Sequence, residues 1–186
     1  MGKTARMVCM MICALFAARI AIAQTSRAKP PTERTVYSEY SDESFDDFLP
    51  LPENLLNVLL ATAEAREMSR ELQGLDRNEL AKLFSAIEVH LDDRGKQDYL
   101  VLGKSPMSGA DCDWFWIVRS GQTHPKVILF ANTNSIELLK SRTNGYRNIR
   151  SVWESAAGYT ITNVYHYNGA RYRLAHHFVT QDKQIP

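Results

Sequence analysis

The sequence predicts an α+β fold, with two N-terminal helices packed on a meandering antiparallel sheet of six or seven strands. Three observations carry this. Apolar residues recur at helical spacing from Pro52 to about Leu72, and a second helix start follows at Asp76. After Ser85 the period shortens to two, and turn residues separate the apolar runs that follow. The last two runs flank Asn168-Gly169, a hairpin-forming pair. Helices followed by strands, without alternation, argue for α+β.

Pro52 suits the first helical position, where its missing N–H would have been unpaired anyway. Leu55, Leu56, Leu59, Leu60, Ala63 and Met68 continue one apolar face until Gly74 ends it. Asp76 and Glu79 have the spacing of a capping box, Leu75 and Leu80 that of a hydrophobic staple, and the helix they start buries Leu80, Leu83 and Phe84. Neither helix carries a ligand or catalytic pattern. Ile87, Val89 and Leu91 then alternate with Ala86, Glu88 and His90 as a strand. Tyr99-Leu100-Val101-Leu102 is apolar on both faces and reads as a central strand. A Gly/Ser/Pro-rich loop, Lys104 to Asp113, leads to the strand Trp114–Val118, and Ser120-Gly121 turns the chain into Val127–Phe130. Ser135 to Arg142 fits either a short helix or a strand; Asn144-Gly145 is a turn, and Ile149 to Trp153 a further strand. For the closing hairpin a two-residue type I′ turn sets Tyr167 opposite Ala170, His166 opposite Arg171 and Tyr165 opposite Tyr172. Ile161, Tyr165, Tyr167, Tyr172 and Leu174 then share the core face, and Thr162, His166, Arg171 and Arg173 the solvent face.

Ahead of the domain 51–186 lie two segments of different character. Met1–Ala23 reads as a cleavable signal peptide: Lys3 and Arg6, an apolar run from Met7 to Ala18, and the small-x-small site Ala21-Ile22-Ala23. The run is too short to span a bilayer, so no stable membrane insertion is expected after cleavage, and the location is periplasmic or secreted. Residues 24–50 form a polar arm with Pro30-Pro31 and an acidic run from Glu39 to Asp47; without a helical or strand period it reads as a linker. The signal carries Lys3, Arg6 and Arg19 and no acid, so its loss takes the formal charge from +1 to −2. A weakly acidic chain lacks the clustered basic surface that nucleic acid requires. Cys9 and Cys13 leave with the signal, and Cys112 alone cannot form an internal disulfide.

The segment His90-Leu91-Asp92-Asp93-Arg94-Gly95-Lys96-Gln97-Asp98-Tyr99-Leu100-Val101 places Asp92, Gly95 and Asp98 ahead of an apolar strand. It resembles the Asp-Gly turn of FG-GAP and VCBS-type extracellular repeats, which often holds calcium. The resemblance implies an extracellular β-rich module and no activity. Calcium requires six to eight oxygens, whereas two of the ligand positions here are His90 and Arg94. The turn therefore reads as keeping its shape without the ion. The pieces Gly109–Trp116 and Thr143–Ile149 resemble segments of small exported bacterial proteins, which again implies no activity.

No motif names a reaction. Asp111 and Asp113 flank Cys112 and oppose thiolate formation, and Gly-x-Ser-x-Gly, a phosphate loop and His-Glu-x-x-His are all missing. His176 and His177 point to opposite strand faces, and no histidine spacing matches a metal site, so neither metal nor cofactor is expected. Trp114 and Trp116 share one strand face beside the Gly-rich loop, and aromatics of this kind are enriched at interfaces. The candidate ligand-binding residues are Asp111, Asp113, Trp114, Trp116, Tyr146 and Arg147. His166, Arg171 and Arg173 form an alternative cationic patch suited to an acidic partner. The leading expectation is a non-catalytic exported binding module of the bacterial cell envelope. Its ligand is a protein or an envelope polymer; inhibition of an envelope-acting enzyme fits this size and character. The alternatives are a small periplasmic hydrolase using a carboxylate pair such as Asp98 and Asp111, and a histidine-based metal-binding protein.

Overall fold

Two five-stranded antiparallel sheets, in place of one sheet of six or seven strands, build the domain. The computed structural model describes residues 34–38, 47–93, 95, 97–109, 112–120 and 124–181, all in the unit Arg34–Pro186. The expected signal peptide 1–23, most of the arm 24–50, and Asp111 lie outside the described residues. In chain order the elements are β1 (Val36–Ser38), β2 (Leu49–Pro50), α1 (Glu53–Leu60), α2 (Ala63–Glu67), α3 (Arg77–Lys82), β3 (Phe84–Val89), β4 (Asp98–Gly103), β5 (Asp113–Arg119), β6 (Lys126–Thr133), β7 (Ser135–Thr143), β8 (Tyr146–Glu154), β9 (Tyr159–Tyr167) and β10 (Tyr172–Gln181). One sheet has the order β2-β3-β4-β5-β6 and the other β1-β7-β8-β9-β10. The α+β class holds, with little helix. No helix among the described residues is long and apolar enough to cross a membrane.

The division into two sheets comes from Asn134. It is buried between β6 and β7, donating its N–H to the Val152 carbonyl (3.1 Å) and accepting from the Glu154 N–H at Oδ1 (2.6 Å). Thr133 Oγ1 also donates to the Val152 carbonyl (2.6 Å). The chain bends there and passes from one sheet to the other, and the ambiguous stretch from Ser135 becomes strand β7.

The sheets enclose one core and the helices cover a second. Leu100, Phe115, Ile117, Ile136, Ile149 and Tyr172 belong to the cluster shared by both sheets, whereas Leu55, Leu59, Phe84, Val101, Trp116 and Val118 pack between α1 and the opposite face of β3–β5. Strands β4 and β5 are thus buried on both faces, which explains their unbroken apolar runs. Two strands also arise inside the expected polar arm: β1 pairs with β7 and seats the fully buried Tyr37, and β2 pairs with β3. Elements two or three residues long leave no period to read.

The first expected helix is two. Thr62 Oγ1 accepts from the Ala65 N–H (3.3 Å) and donates to the Leu59 carbonyl (2.7 Å), so it ends α1 and caps α2 within one residue. The capping box at α3 forms as expected, with Asp76 accepting from Asn78 and Glu79 N–H groups and Glu79 accepting from the Asp76 N–H.

The closing hairpin corrects the expected register. Tyr167 lies opposite Tyr172 and Tyr165 opposite Leu174, a shift of two residues. Asn168 Oδ1 accepts from the Ala170 and Arg171 N–H groups (3.0 Å each) while its own N–H donates to the Arg171 carbonyl (3.0 Å), closing a four-residue turn. Asn144-Gly145 instead makes the two-residue turn with positive φ at both positions, +52° and +80°. An even shift preserves the faces of Tyr165, Tyr167, Tyr172 and Leu174. A bulge between Leu174 and His176 then exchanges faces, so that His176 joins His166 (ring centroids 5.5 Å apart) and His177 turns away to Asn163 (2.7 Å).

Candidate functional site

The residues expected to bind ligand fall in two separate places. Trp116 is fully buried under α1, with its ring against Phe84 (centroids 5.6 Å) and Phe130 (5.3 Å). Trp114 is half-buried on the same face, edge-on to Trp116 at 6.0 Å, and Asp113 is half-buried at the start of β5. The neighbouring loop is pinned. Met107 is fully buried in the helix-side core, and a Cβ at Gly103 would lie 1.8 Å from the Met107 carbonyl oxygen. Cys112 donates from Sγ to Asn132 Oδ1 (2.6 Å). Arg147 is buried in β8, where its guanidinium donates to the Leu138 and Leu139 carbonyls and its own carbonyl accepts from the Tyr172 hydroxyl (2.7 Å). These partners make Trp116 and Arg147 parts of the fold.

Tyr146 belongs to a charged cluster that sequence spacing does not show. Asp98 is fully buried on β4 directly opposite Arg119 on β5. The Arg119 guanidinium lies over the rings of both Tyr146 (4.5 Å) and Tyr167 (4.7 Å), and Asp92 is bridged to Tyr146. Burial raises the Tyr146 pKa, Arg119 opposes this, and the Asp92 and Asp98 charges add to it. Tyr172, almost wholly buried, is held far above its ordinary value by burial and by Asp98. The sign of the pH effect follows. A phenol whose folded pKa is raised keeps its full stabilising contribution below the unfolded value of about 10, and loses it as pH rises above that. Stability is expected to fall by roughly 1.4 kcal/mol per pH unit above about pH 10 on account of Tyr172 alone. Urea unfolding across that range tests this: Tyr172→Phe should show the shallower slope, and equal slopes would place the alkaline loss elsewhere.

Among the described residues, a cleft of about 350 Å³ lies between β6 and the start of β10. Val127, Leu129 and Leu174 supply an apolar wall, Tyr165 a hydroxyl, and Arg171 and Arg173 the polar lip. Both arginines are exposed, and among the described residues neither has a carboxylate within ion-pair distance. Glu64 is the one acid in the lining. The cationic patch read from the sequence thus reaches this cleft through Arg171 and Arg173. What the sequence lacks is the opposing wall from β6, which only the sheet-to-sheet bend brings near.

Asp98 is buried and Asp111 lies outside the described residues, so their pairing has no geometry to report. Among the described residues no three His, Cys, Asp or Glu side chains converge as a metal-ligand set. No protein-family model, curated protein or solved structure matches the chain.

Proposed function

We propose that this chain is an exported, non-catalytic binding module of the bacterial cell envelope that engages an acidic partner, protein or envelope polymer, at the cleft between β6 and β10. The observation that carries the reading is the cleft itself: its lip holds Arg171 and Arg173, neither of which, among the described residues, has a carboxylate within ion-pair distance, and Glu64 is the one acid in the described lining. Guanidinium groups placed this way favour carboxylate or phosphate, with bidentate geometry adding specificity. The signal-like segment Met1–Ala23 supports export. Trp114 and the loop from Lys104 to Gly109 border the helix-side core and play a packing role in this reading.

Pull-down from envelope extract tests it with three forms: the native chain, Arg171→Glu/Arg173→Glu, and Trp114→Ala. Charge reversal should reduce capture by about tenfold or more, and added salt should weaken the native capture, because rim charges act through screened electrostatics. Trp114→Ala should capture the same partners as the native chain. Undiminished capture by the charge-reversed form would sink the proposal.

A further inference from the structure

Of the four sheet edges, two are very short and a third carries a charge. Strand β1 has three residues, β2 has two and ends at Pro50, and β6 begins at the exposed Lys126 and is otherwise mostly buried. Strand β10 is ten residues long and exposed from Arg173 to Gln181, and no strand pairs with its outer edge among the described residues. Leu174, Phe178 and Val179 are each more than half exposed there (56%, 54% and 56%). From His176 to Gln181, beyond the bulge, there is no Pro, Lys, Arg, Asp or Glu, so neither proline nor charge blunts the edge along this stretch.

We propose that the outer edge of β10 pairs antiparallel with β10 of a second copy, joining two five-stranded sheets across a two-fold axis at Phe178. The residue pattern suits a self-pairing strand. Centred on Phe178, the pairing sets His177 opposite Val179 and His176 opposite Thr180 of the other copy, and each opposed pair shares a sheet face. The seam carries no fixed charge, so copies do not repel, and Arg173 lies outside it beyond the bulge. Phe178 meets its own counterpart at the axis and is already stacked on His176 (ring centroids 6.2 Å). An isologous contact of this kind closes as a dimer and does not propagate. A single-strand seam buries less than a standard interface, which places the dimer in the weak, concentration-dependent class. The seam, residues 175–181, does not include Arg171 and Arg173, so this inference stands apart from the proposed partner site.

Sedimentation equilibrium of the native chain from about 5 µM to about 500 µM should show the mean mass rising from monomer toward dimer, as a small interface requires. Phe178→Lys and Val179→Lys, on opposite faces of the strand, should each remain monomeric with an unchanged circular dichroism spectrum. Hydrogen exchange needs no variant: the segment 175–181 should exchange at least about threefold more slowly at the higher concentration, as newly paired amides do. A native chain that stays monomeric at every concentration overturns the proposal, as do open-ended assemblies or a dimer that survives both lysine variants. Protection of 175–181 only after adding envelope extract would assign the edge to a foreign strand, and would equally overturn it.

Discussion

Trp116→Ala is expected to destabilise the domain by about 3–5 kcal/mol, the range for removing a fully buried aromatic. The ring has no exposed surface and packs against Phe84, Trp114 and Phe130, so its loss opens a cavity beneath α1 and removes three aromatic contacts. For a domain of this size the melting temperature should drop by roughly 6–20 °C. Trp116→Phe should cost far less. The indole N–H has no hydrogen-bond partner among the described residues, so phenylalanine forfeits volume and not a bond. Thermal unfolding of both variants decides between two roles for this side chain. A ligand anchor would leave the melting temperature unchanged on truncation; a core residue will not.

Arg119→Met is expected to cost about 1–4 kcal/mol, the sum of the two cation–π contacts made by its half-buried guanidinium. Asp98 is fully buried directly across the strand pair, and methionine there removes the facing cation while keeping an unbranched apolar side chain. The contacts over Tyr146 and Tyr167 go with it, contributing about 0.5–2 kcal/mol each. The companion Asp98→Asn should recover part of the loss in the double variant, since a neutral amide no longer needs the cation. Denaturant unfolding of the two single variants and the double variant measures that coupling. Strictly additive effects would show that Asp98 and Arg119 do not act as a unit.

The legible parts of the fold are those whose information is local. Asp76 and Glu79 meet within one turn of helix, so their spacing alone specifies the cap. The alternation in Trp114–Val118 sorts correctly into Trp116 and Val118 on the helix side and Phe115 and Ile117 between the sheets. Thr62 was legible only in hindsight, because one threonine in an apolar period is compatible with a continuous helix until its hydroxyl takes the Leu59 carbonyl. The two Asn-Gly pairs carry the same local preference, yet only Asn144-Gly145 makes the two-residue turn. At Asn168 the side chain accepts from two downstream amides and lengthens the loop to four residues.

The candidate site was half legible on the same grounds. Arg171 and Arg173 are visible as a cationic patch, but their wall on β6 is more than forty residues away in the chain. Trp116 resembled a binding residue because a strand buried on both faces has the same aromatic content as one with a recognition face. Which it is depends on whether a helix lies over it, and α1 does. By itself the sequence determined the α+β class, the helix cap, the faces of Trp114–Val118 and the turn positions, since each depends on residues a few positions apart, whereas Leu174, expected on the core face, is exposed. Only the tertiary structure decided the split into two sheets at Asn134, the face exchange at the β10 bulge, the Asp98–Arg119 cluster and the cleft. Each of these joins groups distant in sequence, whose meeting is set by packing between layers, and no local preference encodes it.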